Sequence, residues 1–189
     1  MIYPIRAYGD PVLRKKCEDI DADYPELKNV IQDMFETMYN AHGVGLAAPQ
    51  VGLPIRLFIV DCTVFAEDEE YAAIKDELSE FRQVFINARI VEESGDEWKF
   101  NEGCLSIPGI REDVSRQPVI TIDYLDENFQ PQRQTFSDIR ARVIQHEYDH
   151  IEGILFTDYL SNFKKKLLKR KLQNITSGKA NADYPMRTP

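Results

Sequence analysis

The residues best spaced for chemistry are His146-Glu147-Tyr148-Asp149-His150, two histidines four apart with a glutamate beside the first. On a helix, residues four apart lie one turn apart on the same face, so both imidazoles can reach one cation. Glu147 lies about 100° around the helix from His146, within reach of a water on that cation without being a ligand. The arrangement suits metal-assisted hydrolysis, with the carboxylate moving the water's proton. The alternative is a pair of structural histidines on an ordinary core helix. The pentapeptide alone does not separate the two.

A catalytic metal usually keeps three protein ligands and one open position. Two common sources of a third ligand are missing. Phe156 stands where one class of zinc peptidases carries a further His, and no Glu follows Glu152. The third ligand must come from upstream, or from Asp158 or Asp183. His42 is the only other histidine. Cys104, in Asn101-Glu102-Gly103-Cys104-Leu105-Ser106, is the most metal-competent alternative because its turn follows a glycine and lies near backbone N–H groups. Its plain reading is a small buried hydrophobe.

The elements that must position these groups are legible as patterns. Ile139 to Ile151 reads as a helix, capped by Ser137 or Asp138 and stopped by Gly153. Ile139, Val143, His146, His150 and Ile154 follow helical spacing, so the histidines continue an inward stripe. A second helix is expected from Pro25 to Asn40, capped by Asp23. The small, Gly-punctuated run from His42 to Gly52 leads into a buried strand at Ile55–Val60. Residues 65–80 read as an acidic surface insertion, part helical. Val84–Val91 reads as a strand and Gly103–Pro108 as a turn. Val119–Leu125 and Gln132–Phe136 read as a hairpin. A basic amphipathic helix is expected over Ser161–Asn174, with Phe163, Leu167 and Leu168 packing back on the body. The expected fold is α+β: antiparallel strands around a central HExxH helix, followed by a C-terminal helix. Residues 1–174 would form a single catalytic domain, and residues 175–189 a disordered tail.

Three segments together are more specific than the helix alone. Gly43-Val44-Gly45-Leu46-Ala47-Ala48-Pro49-Gln50, Glu102-Gly103-Cys104-Leu105-Ser106 and Gln145-His146-Glu147-Tyr148-Asp149-His150 resemble the signature motifs of peptide deformylases, in the family order and at similar separations. The resemblance spans about residues 3 to 162. It implies removal of the formyl group from the N-terminal formyl-methionine of new polypeptides. It implies one divalent metal on Cys104, His146 and His150, usually Fe(II), with zinc, nickel or cobalt also accepted. Glu147 would be the general acid–base, and the Gln50 amide and Leu105 N–H would stabilise the oxyanion. Val44 and Gly45 would pair with the peptide, and Val44, Ile139 and Val143 would line the methionine pocket. Gly103 would flank the cleft and Arg111 stand at its rim. The insertion at 65–80, Ala88 in place of a frequent proline, and His42 in place of an acidic residue depart from common patterns. Some relatives dock a C-terminal helix near the ribosomal exit, a second reading for the basic helix beside that of a solvated face.

Composition narrows the rest. The chain has 189 residues, 23 basic against 32 acidic, for a net charge of −9. That argues against a DNA-binding body. Lys164–Lys171 nevertheless holds a local cluster of positive charge. No N-terminal stretch reads as a signal peptide, and no apolar run is long enough to span a bilayer. Three cysteines, Cys17, Cys62 and Cys104, form no disulfide framework, which suits a reducing cytoplasm. Two other functions remain as alternatives: a general zinc peptidase and a relative that binds metal or ribosomes without catalysis. The Cys104 motif disfavours the first, and Gln50 with Glu147 the second.

Overall fold

The computed structural model describes residues 1–189. A five-stranded antiparallel sheet forms its middle layer. In spatial order it contains β2 (Gly45–Ala47), β3 (Leu57–Asp61), β4 (Arg82–Ser94), β7 (Val119–Leu125) and β8 (Pro131–Phe136). A separate antiparallel hairpin joins β5 (Trp98–Cys104) to β6 (Ile107–Arg116). A short parallel pair joins β1 (Ile5–Arg6) to β9 (Met186–Arg187). The helices are α1 (Leu27–Asn40), α2 (Lys75–Ser79), α3 (Asp138–Ile151) and α4 (Asn162–Thr176).

Every residue of β3 is buried, because the sheet is covered on both faces. Leu57 and Ile59 pack with Leu27, Ile31, Met34 and Met38 of α1. Phe58 and Val60 point the other way and pack with Ile139, Val143 and Ile144 of α3. A third cluster lies between the β5–β6 hairpin and α4, where Ile107, Ile110 and Val114 meet Leu168, Leu172 and Ile175. The α3 helix therefore runs between the sheet and the hairpin, and all but a few of its side chains are buried. Gly153 ends it with φ 76°, the left-handed conformation that a C-terminal glycine adopts without steric cost.

The α+β architecture and the central helix agree with the sequence pattern. Several local expectations are corrected. The first helix begins at Leu27, not Pro25, because Glu26 takes φ 55° and its carbonyl accepts the first helical bond; Asp23 caps nothing there. The insertion at 65–80 is a run of short helical turns ending in α2, pinned by buried Ala66 and Leu78. The Gly103–Pro108 turn is only Leu105-Ser106, the tip of a hairpin whose strands were not anticipated. On α4, Leu168 packs inward as expected, but Phe163 and Leu167 are 70% and 65% exposed. The helical phase assigns them to the opposite face. The segment expected as a disordered tail is held down. The α4 helix continues to Thr176, and the backbone N–H groups of Ile5 and Ala7 donate to the carbonyls of Pro185 and Arg187.

Candidate metal centre and active site

The α3 helix presents His146 and His150 one turn apart, and the tip of the β5–β6 hairpin brings Cys104 to them. The ligand atoms of Cys104, His146 and His150 all lie within 4.8 Å of one another. Cys104 Sγ is 3.3 Å from His150 Nε2. A tetrahedral ion takes sulfur at ~2.3 Å and imidazole nitrogen at ~2.0–2.1 Å, so donors so closely gathered fit one small cation. The other candidates, His42, Asp158 and Asp183, are outside this group.

The chemistry of the donor set agrees with that fit. His146 Nδ1 is 3.0 Å from Glu102 Oε2, which leaves Nε2 for a metal. Burial alone would lower the pKa of His146, but hydrogen bonds to Cys104 and Glu102 outweigh it and raise the value well above normal. Burial and the neighbouring His146 hold His150 well below its usual value. His150 is thus kept neutral, and a cation on this donor set would replace the proton that His146 shares with Cys104. Glu147 is 4% exposed, and its Oε2 has no hydrogen-bond partner in the chain. Burial pushes its pKa up to about 7. Its carboxylate lies directly against the backbone of β2: a Cβ on Gly45 would fall 2.5 Å from Glu147 Oε1. Only glycine leaves that room.

Gln50 is 2% exposed, and its amide orientation is fixed. Ala47 N–H donates to Oε1 at 2.9 Å, so Nε2 faces the hairpin tip and donates to Ser106 Oγ at 3.2 Å. Nε2 is also 3.6 Å from Cys104 Sγ. The Leu105 N–H, on the same tip, donates to no other group of the chain. Two neutral donors therefore stand beside the metal ligands and the unpartnered carboxylate.

Comparison with known proteins agrees with this geometry. The polypeptide deformylase family profile matches residues 2–166. A peptide deformylase of Christiangramia forsetii is 63% identical over 190 residues, covering 100% of this chain and 97% of that protein. One from Chlorobaculum parvum is 40% identical, covering 98% of this chain and 94% of that protein. The crystal structure of a peptide deformylase from Legionella pneumophila superposes with a TM-score of 0.80 at 36% identity, covering 96% of this chain and 99% of that one. The chain belongs to the peptide deformylase family.

The cleft beside these donors has a volume of about 800 Å³. Val44, Gly45, Gln50, Gly103, Cys104, Leu105, Arg111, Ile139, Val143, His146 and Glu147 all line it; His150 lies behind them, 1% exposed. Val44 and Gly45 are at the open edge of the sheet, since β2 pairs only with β3. Ile139 and Val143 serve both readings: they pack in the core and face the cleft. Arg111 bonds to the Oδ1 and backbone carbonyl of Asn101 at 3.0 and 2.6 Å, and its guanidinium covers Gly103. It takes no partner from His42.

Sequence reasoning missed the charged frame behind the deformylase site. Glu102, 4% exposed, accepts from Arg116 at 2.7 and 3.0 Å and from Arg142 at 3.0 Å, in addition to facing His146. Burial favours its neutral form, yet the His146 and Arg116 bonds hold its carboxyl far below the usual range. Arg116 also donates to Asp149, which accepts from Tyr159. The available signal was Arg142: it falls four residues before His146 and eight before His150, a charge on the inward stripe. A charge placed there requires a buried partner.

Proposed function

We propose that this deformylase works by general acid–base catalysis at Glu147, on a formyl group held against Gln50 and Leu105. Peptide deformylases remove the N-formyl group from nascent proteins, and this chain does so as a member of that family. The carrying observation is that three clustered metal-competent donors, the unpartnered Glu147 carboxylate, the Gln50 amide and the free Leu105 N–H stand together at one cleft.

Cys104, His146 and His150 would hold the ion, which supplies a positive charge that lowers the pKa of water and polarises the formyl oxygen. Glu147 takes a proton as water adds to the formyl carbon, then delivers it to the leaving amine as the carbon–nitrogen bond breaks. Formate and a free amino terminus result. The Gln50 Nε2–H and Leu105 N–H donate to the oxyanion that develops between these steps. The open edge at Val44 and Gly45 pairs with the peptide as an added strand, which orients the formyl group. Val44, Ile139 and Val143 take the methionine side chain, Gly103 flanks the cleft, and Arg111 marks its rim. Formate release from a formyl-methionyl tripeptide, with no internal cleavage of an unformylated peptide, tests this against the general peptidase reading.

The native metal is proposed to be Fe(II). One thiolate and two imidazoles also suit zinc, nickel and cobalt, so availability rather than affinity decides occupancy. With iron bound, activity should decay in air over the course of an assay series. With nickel it should persist under the same conditions. Equal decay for the two metals would count against iron chemistry at this site.

We infer a cytoplasmic location from the nascent substrates of the family, and propose that α4 contacts the ribosome. Phe163 and Leu167 are exposed one turn apart, flanked by Lys166, Lys169 and Arg170. No helix is long and apolar enough to cross a membrane. The protein should cosediment with ribosomes at low salt and lose that association as salt rises. Lys166→Glu with Arg170→Glu should abolish cosedimentation without changing deformylation of a short peptide. Retained cosedimentation in the double variant would show that α4 is only a solvated face.

A further inference from the structure

We infer that the C-terminal strap, residues 181–184, belongs to the substrate cleft and that Tyr184 is a positioning residue for the Leu105 N–H. This rests on the reading of Leu105 as an oxyanion donor. Asn181, Ala182, Asp183 and Tyr184 all line the cleft. The Tyr184 hydroxyl donates to the Leu105 carbonyl at 2.8 Å. Immediately beyond it, Pro185 and Arg187 accept from Ile5 of β1 and from Ala7 just past it, which fixes the strap in place.

The hairpin tip is thereby gripped at two successive carbonyls. Tyr184 holds that of Leu105, and the Tyr8 N–H, just past β1, holds that of Ser106 at 2.8 Å. Fixing these two consecutive peptide planes restricts the Ser106 torsions that lie between them. The Leu105 N–H has no partner in the chain, so nothing bonded directly to it sets its direction. It lies in the Cys104–Leu105 peptide plane, so its aim depends on the end of β5, where Cys104 pairs with Ile107, and on the Leu105 torsions that join it to the plane Tyr184 holds. An oxyanion donor must be aimed before charge develops, because reorientation during reaction forfeits its benefit. The same β1 segment that anchors the strap anchors the tip, so strap, tip and ligand-bearing hairpin form one connected frame.

The test compares nickel-loaded wild type, Tyr184→Phe and Tyr184→Ala on a formyl-methionyl tripeptide. Tyr184→Phe removes only the hydroxyl. It should lower kcat roughly 3- to 30-fold, less than the loss of a whole donor, with KM within about twofold. Nickel content and melting temperature should match wild type. Tyr184→Ala should lower kcat similarly and also raise KM, because the cleft wall is cut back. An unchanged kcat in Tyr184→Phe overturns the inference. So does a kcat loss that tracks lost nickel or a lowered melting temperature, since that is a structural role alone. If wild type itself releases no formate, the reading of the cleft fails before Tyr184 is at issue.

Discussion

Glu147→Ala should reduce formate release by about 10²- to 10⁴-fold while the bound metal stays in place. The carboxylate is not among the three gathered donors, so removing it leaves Cys104, His146 and His150 intact. A variant that loses metal along with activity would mean that Glu147 holds the site together rather than moving a proton. Stability gives an independent check. In the metal-free chain, burial raises the Glu147 pKa to about 7, above the ~4.3 expected in the unfolded chain. The folded state then binds more protons between those values, so this group makes stability fall as pH rises from about 5 to about 8. Removing it removes that loss. Metal-free Glu147→Ala should therefore lose less melting temperature between pH 5 and pH 8 than metal-free wild type. Identical profiles would show that the carboxyl is not under the strain its burial implies.

Glu102→Ala should be among the most destabilising single changes in the protein, costing about 3–5 kcal/mol. Arg116 and Arg142, 7% and 2% exposed, both depend on that carboxylate. Its loss leaves Arg142 with only carbonyl acceptors and Arg116 with Asp149 alone. The His146 ring also loses the acceptor at its Nδ1, so metal affinity should fall about 10- to 100-fold. Urea unfolding and competition with a chelator measure the two effects separately. A useful contrast is Glu112→Ala, which removes a partly exposed pair with Lys164 and should cost no more than about 1 kcal/mol. If the two glutamates cost the same, the buried frame does not carry the energy assigned to it.

Local chemistry was readable in the sequence, and long-range chemistry was not. The spacing of His146, Glu147 and His150 follows from helix geometry alone, and the missing downstream ligands directed attention to Cys104. The partners of Glu102 come from β6 and α3 and meet only in three dimensions. The β5–β6 hairpin escaped notice for a related reason. Glu102 occupies an inward position that period-two reasoning reserves for an apolar residue, and a register shift after Gly103 spaces Ile107, Ile110 and Val114 irregularly. The strap escaped because backbone bonds to β1 and a single phenol hold Asn181-Ala182-Asp183-Tyr184-Pro185, and no hydrophobic pattern announces it. On α4 the periodicity was correct, but Phe163 and Leu167 were assigned to the packed face.

The double-sided burial of β3 has a consequence for how the chain reaches this structure. A strand that is apolar at consecutive positions can slide by one residue without exposing a single side chain to water. Hydrophobicity therefore does not set its alignment. Asp61 contributes at one end: its carboxylate accepts from Tyr39 of α1, a bond that a slipped strand would break. Alignment matters most at Gly45, which lies opposite Val60. If β2 moved one step along β3, Val44 or Leu46 would arrive where Glu147 needs empty space. A misaligned sheet could be as greasy and as compact as the native one, yet could not seat Glu147. Catalytic competence is in this sense a proofreading signal for strand alignment, and slipped chains should accumulate as folded but inactive protein when Asp61 is replaced.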